Sequence, residues 1–540
     1  MKALARNKIN ALVPFIFIFI VSYFQATTLK KQIVINSDSL YMHDLSQDLL
    51  SGGSILNWSL TQAPDYFPHM IVYLFISVFS KSATTQLFLI TLFQIISLCT
   101  LLYIIFRELG QRIYSSVLQS IGLLTIISLF QLHSTDWIYF YKTNNHFSSI
   151  TMGLLALFLL LRSLNCKKIP EKRMLFAISV TVFLGTLSTI TFIYAISIPI
   201  FLVLLAKMRE IQRSQHAEFL KSTVISWLII LPVSTISSLL VTVSNENNGG
   251  LPGRLNISNI DILKVQNLTL AAFSRNLLSS GAVIRIISLL LICICFISLV
   301  LFFLLRLDIL FNLAHDFSLL TLFQISVSSL LSSSILTVLS AGIVDEYFLR
   351  YFWPSIIMLL IFFSVICANI FRNFKKMIYG KLHFEICLIS FLLIVFGIMS
   401  GSIQSQESQF QKVAKCLTDK RSEGVNLRSG VADYWYGRSV DYLSSNPTRT
   451  FVALNSLDPF YWMTTKSYYN TKADYNFILL HTQPDQFNFN FESMKGFLPL
   501  PSRTFACEGT DIEIYFYENN SLDGIVQSAI RKFSSLDQAG

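Results

Sequence analysis

Residues 88–106 read FLITLFQIISLCTLLYIIF, nineteen positions without a charge. Coiled as a helix, such a run comes close to the ~30 Å of a bilayer's hydrocarbon core. Backbone N–H and C=O groups find no water there, so the segment must satisfy them internally, as a transmembrane helix does. It is too long and continuous for the short alternating strands of a membrane barrel. Similar runs recur up to about residue 400, and eleven spans are expected near 11–29, 84–106, 113–132, 146–163, 174–189, 191–207, 219–243, 281–306, 317–341, 352–371 and 383–400. Composition agrees, since 53% of the 540 residues are hydrophobic and 13% are charged, against about 25% charged in an ordinary soluble domain. The net charge of +10 does not point to nucleic acid, because Lys and Arg sit in short segments between apolar runs and no basic helix interleaved with aromatics is present.

The distribution of those cations sets an orientation. With the N-terminus cytoplasmic, the inner loops collect most of them, among them Arg107, Arg112, Lys167, Lys168, Lys172, Arg173, Lys375 and Lys376. The outer loops are longer in total and hold few, which is the positive-inside asymmetry, and the C-terminus is then outside. The first run has no small-x-small cleavage site in SYFQATTLKKQ and is expected to stay as an anchor. Residues 67–80, FPHMIVYLFISVFS, are short for a span and read as an interfacial or re-entrant helix on the outer face. The fifth and sixth runs share one stretch broken by the polar LSTIT at 187–191, which reads as the tip of a hairpin.

Four outer segments concentrate the polar chemistry. The first outer loop, 30–83, contains SDSLYMHDLSQDLL, in which Asp38, His43, Asp44 and Asp48 punctuate an amphipathic stretch. Its Leu40, Leu45, Leu49 and Leu50 are expected to face lipid. The second segment, HSTDWIYFYKTNNH at 133–146, contributes His133, Asp136, Lys142 and His146. The third is the Asn/Gly-rich 244–280 loop, and the fourth, VDEYFLRY, places Arg350 and Tyr351 at the mouth of the tenth span. Carboxylates in outer loops are commonly just solvated, Asp38 also suits a helix cap ahead of Ser39, and Arg350 also suits an interfacial anchor. Their convergence on one compartment points further. A carboxylate can take a proton from an attacking hydroxyl or amine, while Arg, Lys and His can stabilise a phosphate leaving group.

Other chemistries lack their parts. The sequence has no GxxxxGK[ST], HExxH or G-x-S-x-G. The Cys293–Cys295 pair lies inside an apolar run and reads as packing, so no metal site and no cofactor are expected. After residue 400 the apolar runs stop. Residues 401–540 read as a small α/β domain, with a helix near 430–445 and strands at TFVALNS (450–456), NFILLHT (476–482) and IEIYFYE (512–518). Trp435, Tyr436, Trp462 and Tyr468 are candidates for stacking on a sugar, although aromatic core packing is the commoner use. Two of the eight cysteines, Cys416 and Cys507, fall in this domain, and an oxidising compartment favours pairing them.

A transmembrane helix, an acid shortly after it in SDSLYMHD, a second carboxylate in STDW, and GVADYWYGRSVDYLSS after the last span together resemble the GT-C membrane glycosyltransferases. Protein O-mannosyltransferases and lipid A aminoarabinose transferases belong to that class. The resemblance implies an α-helical polytopic membrane protein with a transmembrane domain over 1–400 and a soluble α/β domain over 401–540. It implies a polyprenyl-phosphate-linked sugar donor, a glycan, lipid or protein acceptor, and inversion by direct displacement. Asp38 is then the base, with Asp44 and Asp136 in reserve; Arg350, His133, Lys142, His146 and Tyr351 serve the donor phosphate. It also implies a bacterial plasma membrane with the C-terminal domain periplasmic or extracellular. Two rival readings are a secondary transporter or flippase, for which no internal repeat is found, and an O-antigen polymerase or ligase, whose main outer loop usually lies between late spans.

Overall fold

The computed structural model describes residues 2–30, 35–60, 65–133, 147–165, 172–211, 225, 227–228, 232–233, 317–339, 351–374, 408–444, 449–469, 473–482 and 489–539. The chain is mostly helical, with a small sheet region toward the C-terminus. Three helices, Ala83–Glu108, Phe147–Asn165 and Ser318–Ile335, are long and apolar enough to cross a membrane by length and composition. Shorter apolar helices lie at Val13–Leu29, Tyr66–Phe79, Ile113–Leu129, Arg173–Ser188, Ile193–Ala206 and Trp353–Ile366. The expected spans at 281–306 and 383–400, and most of 219–243, lie outside the described residues.

In chain order the helices are α1 (Lys2–Leu29), α2 (Ser37–Leu50), α3 (Ile71–Phe79), α4 (Ala83–Glu108), α5 (Ile113–His133), α6 (Phe147–Asn165), α7 (Lys172–Ser188), α8 (Ile198–Ile211), α9 (Phe317–Leu339) and α10 (Trp353–Phe374). Buried Leu, Ile and Phe side chains from α1, α4–α10 and the turn at 190–197 form one continuous core. Polar ties set which helix ends meet. Gln25 near the end of α1 donates to Thr125 Oγ1 (3.0 Å) and accepts from Ser128 Oγ (3.2 Å) near the end of α5. At the other end of the bundle, Arg162 donates to Glu108 (2.6 Å), Asn165 donates to the Glu108 carbonyl (2.7 Å), and Ser318 meets Asn165. So α4 and α6 finish at the same end of the bundle, where α9 begins. The expected break at 187–191 is present: α7 stops at Ser188 and helix resumes at Ile190.

The segment at 67–80 does form a short helix. Its π-turn Tyr66–Met70 runs into the nine-residue α3. Tyr73, Ile76 and Ser77 are buried, while Ile71, Phe75, Val78 and Phe79 are more than half exposed. At 1.5 Å per residue this helix is far too short to span, and its outward apolar stripe suits an interface.

The C-terminal unit comprises α11 (Gln409–Ser422), β2 (Ser429–Ala432), α12 (Tyr434–Leu443), β3 (Thr450–Val452), β4 (Thr464–Thr465), β5 (Tyr475–His481), α13 (Phe491–Met494), β6 (Arg503–Ala506), β7 (Ile512–Phe516) and α14 (Ser521–Ala539). Its five-stranded sheet has the order β3-β2-β5-β7-β6, parallel across β3, β2 and β5 and antiparallel from β5 to β6. All three expected strands are there. The central β2 was not foreseen: SGVA has little strand character, and its position follows from pairing on both sides. A side chain at Gly430 would strike the Phe477 ring at 2.3 Å, so only glycine lets β2 lie against β5. Cys416 and Cys507 form the expected disulfide, tying α11 to the end of β6 across a sequence separation of 91.

This unit is not separate from the segment that follows α1. Trp58 and Ser59 (β1) pair antiparallel with Thr465 and Thr464 of β4. Tyr41, Met42, Leu45, Trp58, Met70 and Tyr73 share one buried cluster with Tyr434, Val452 and Met463. The expectation that the leucines of α2 face lipid is corrected for two of them: Leu40 and Leu45 are 1% exposed, covered by protein. The folded C-terminal unit offers a nearer apolar partner than the bilayer. Leu49 packs at the edge of this cluster and Leu50 stays half exposed.

Peptide mapping without reductant should recover Cys416 and Cys507 joined. Replacing both by Ser should destabilise the C-terminal unit by about 2–4 kcal/mol in chemical unfolding. Free thiols at both positions in protein taken from an intact envelope would contradict the structure.

Candidate functional site

Where α2 meets the C-terminal unit, a cleft of about 470 Å³ opens. Its size lies within the ~300–1,000 Å³ of small-molecule sites. One face of α2 supplies Leu40, His43, Asp44, Gln47 and Asp48, at the spacing that repeats along a helix face, and α12 supplies Arg438, Asp441 and Tyr442 in the same manner. Trp58, Thr464, Thr465, Ser467 and Tyr468 close the remaining wall. The other face of α2 carries Tyr41, Met42 and Leu45 into the shared core, so the amphipathic pattern holds the polar face toward the cleft. An Asn36 capping box starts the helix.

Each polar group is held by a neighbour. Arg438 is 6% exposed; its Nε lies 3.7 Å from Asp44 Oδ2, and its Nη2 donates to the Met463 carbonyl. Burial pushes the Asp44 carboxyl up, against the pull of Arg438 and His43. Asp48 accepts from Trp58 Nε1 at 2.7 Å, and a Cβ at Gly53 would collide with that carboxylate. His43 Nδ1 lies 2.7 Å from Gln86 Oε1 in the first turn of α4, which makes the imidazole nitrogen the donor. The Tyr442 hydroxyl accepts from the backbone N–H of Thr84 (3.4 Å), and its ring meets the edge of His43 at 5.8 Å. The cleft therefore sits at the starting end of α4, away from the Glu108 and Arg162 end. Asp441 is spent on the backbone N–H and hydroxyl of Thr450.

The arrangement puts a carboxylate of raised pKa beside a buried guanidinium, with rings and hydroxyls around them. That is the equipment for proton transfer to or from a bound hydroxyl. Among the described residues no group of three or more His, Cys, Asp or Glu is disposed to hold a metal.

Of the residues nominated from sequence, Asp44 lines the cleft and Asp38 does not. Asp38 occupies the first turn of α2 and accepts from the Tyr434 hydroxyl at 2.6 Å, beside Ser37, which donates to the Tyr434 carbonyl. Asp38 is not the cap either, since Asn36 takes that place. Tyr351 packs against the helical core. His133 ends α5; Asp136, Lys142, His146 and Arg350 lie outside the described residues. Among the nominated aromatics Tyr468 reaches the cleft, whereas Trp435 and Trp462 pack on the shared cluster and Tyr436 in the domain core. Sequence reading passed over Arg438, Asp441, Tyr442 and Trp58. The GRSVDY segment did carry a signal, an Arg, an Asp and a Tyr at helical spacing.

A second polar cluster lies under the start of α6. Asp65 has φ 52° and is fully buried, and neither carboxylate oxygen has a hydrogen-bond partner among the described residues. The nearby Ser148 hydroxyl is engaged with His69 Nδ1 at 2.6 Å. Burial pushes the Asp65 carboxyl up to about 8, against a smaller pull from Ser148. The folded protein thus binds this proton more tightly than the unfolded chain, whose carboxyl titrates near 3.9. Stability from this group is full below pH ~4 and declines as pH rises toward 8, by at most about 1.4 kcal/mol per pH unit. Thermal unfolding in detergent should weaken between pH 6 and 8.5, and Asp65→Asn should flatten that decline; equal slopes would show that Asp65 does not control it.

No protein-family model matches the chain, and comparison with curated proteins finds no significant relative.

Proposed function

We propose that this protein is a GT-C-like inverting membrane glycosyltransferase, moving a sugar from a polyprenyl-phosphate carrier to an acceptor in the cleft beneath α12. The observation that carries this reading is the placement of Asp44, beside the buried Arg438, in a polar and aromatic cleft at the starting end of an apolar 26-residue helix. A lipid-held donor needs such a position: its prenyl chain stays beside the bundle while its sugar reaches the cleft. Asp44 takes the proton of the acceptor nucleophile as the new bond forms at the anomeric carbon. The bond from that carbon to the phosphate oxygen breaks, and polyprenyl phosphate departs. The reserve carboxylate thus replaces Asp38, whose oxygen is committed to Tyr434. The phosphate falls to cations of the outer segments, Lys142 and Arg350.

The full reading has eleven spans, a cytoplasmic N-terminus and an outer C-terminal domain. Two features support it. The first loop and the C-terminal unit share one core, so they occupy the same side of any membrane, and the chain between them crosses an even number of times; spans two to eleven make such a number. The Cys416–Cys507 bond suits an oxidising compartment.

Reporters fused after residue 168 or 376 should read cytoplasmic, and after 260 or 430 external; a cytoplasmic signal at 430 would overturn the orientation. For the chemistry, full-length protein in nanodiscs should release undecaprenyl phosphate from at least one of a panel of undecaprenyl-phosphoryl hexoses and pentoses. Envelope glycans from cells with the protein should then carry a sugar absent without it. Asp44→Asn should lower turnover by roughly 10²–10⁴-fold with donor binding retained. Turnover kept by that variant would move the base elsewhere, and no turnover together with unchanged glycans would end the transferase reading.

A further inference from the structure

The cleft that the transferase reading uses holds an unusual balance of charge. Among the described residues that line it, three carboxylates, Asp44, Asp48 and Asp441, face the one guanidinium of Arg438. A phosphate or a uronic acid entering this space meets like charges, an unfavourable juxtaposition in a partly desolvated site. The donor's own phosphate, one bond from the reacting carbon, is therefore placed at the mouth of the cleft and not among these carboxylates.

The same lining is well matched to hydroxyl groups. A hydroxyl both donates and accepts, and the cleft offers both complements. Asp44 and Asp48 accept. Two donor atoms on its lining side chains, Arg438 Nη1 and Gln47 Nε2, are buried with no hydrogen-bond partner among the described residues, and leaving such atoms unsatisfied is costly. Thr464, Thr465 and Ser467 add hydroxyls that serve in either sense. The rings of Tyr442 and Tyr468 give apolar faces of the kind that cover the C–H surface of a pyranose.

We infer that the cleft between α2 and α12 is a saccharide site selective for sugars without acidic substituents, neutral or amino-bearing, and that it rejects anionic ones. This rests on the transferase reading only for the role of the bound sugar; the selectivity follows from the lining alone. It names the class of substrate whose sugar the proposed enzyme engages, and it separates that sugar's subsite from the site of the carrier phosphate.

Saturation-transfer NMR on the full-length protein in nanodiscs, with three soluble trisaccharides, tests this directly. N,N′,N″-triacetylchitotriose and its deacetylated amine form should bind, and trigalacturonate should bind at least tenfold more weakly. Tyr442→Ala should weaken the first two about tenfold while the Cys416–Cys507 bond and the thermal transition persist. Asp48→Asn, which removes one charge and leaves the carboxamide able to accept from Trp58, should narrow the gap for trigalacturonate. Equal or tighter binding of trigalacturonate to the unaltered protein would overturn the inference, as would failure of all three probes or indifference to Tyr442→Ala. Binding of the neutral probes without any donor turnover would leave the saccharide site standing and sink the transferase reading; turnover with no probe bound would do the reverse.

Discussion

The rest of the structure depends on one apolar contact, the burial of α2 and Trp58 against the C-terminal unit. Tyr41, Met42, Leu45 and Trp58 come from the first loop, and Tyr434, Val452 and Met463 from a segment about four hundred residues later. Removing this much apolar surface from water, at ~25 cal/mol per Å², is what fixes two distant segments together. The hydrogen bonds then add register. Trp58 pairs with Thr465 in a two-residue ladder, and Tyr434 reaches across to Asp38. Such a short ladder is marginal alone and is held by the packed apolar cluster beneath it.

The consequences spread outward from that contact. With the inner face of α2 committed to the core, its opposite face must form a wall, and helical spacing places His43, Asp44, Gln47 and Asp48 on it together. The same logic acts on α12, where Arg438, Asp441 and Tyr442 fall on the facing side. Arg438 is therefore buried beside Asp44. Removing Asp44 would leave the buried guanidinium poorly compensated, the costly case, whereas Asp44, partly open to solvent, would tolerate the loss of Arg438 better. The cleft is in this sense the polar remainder of a hydrophobic docking.

The helical bundle is organised by a different economy of forces. In an apolar medium helices gain little from hydrophobic association, and packing together with interhelical hydrogen bonds decides which faces meet. Gln25 with Thr125 and Ser128, and Ser329 with Ser355 and the Ala195 carbonyl, are ties of that kind. At the far end Glu108 collects Arg162 and Asn165. These contacts fix which helix ends meet in the bundle, with the cleft at one end of α4 and the basic residues Arg107 and Arg162 at the other.

Apolar run length and the period of polarity were determined by the sequence itself. Both act locally, so the helices at 83–108 and 147–165, the break at Ser188, the short helix at 71–79 and the strands at 450–452, 475–481 and 512–516 were all legible. The Cys416–Cys507 pairing was legible too, from compartment and count. Tertiary structure alone decided the rest. Leu40 and Leu45 turn inward because a folded partner lies nearer than lipid, and β2 is a strand because β3 and β5 flank it. Asp44 stands in the cleft while Asp38 is tied to Tyr434, because a shift of six residues along a helix turns a side chain to a different face. No local pattern contains that outcome: it depends on which face of α2 the distant C-terminal unit covers, and that is fixed by the fit of side chains far apart in the chain.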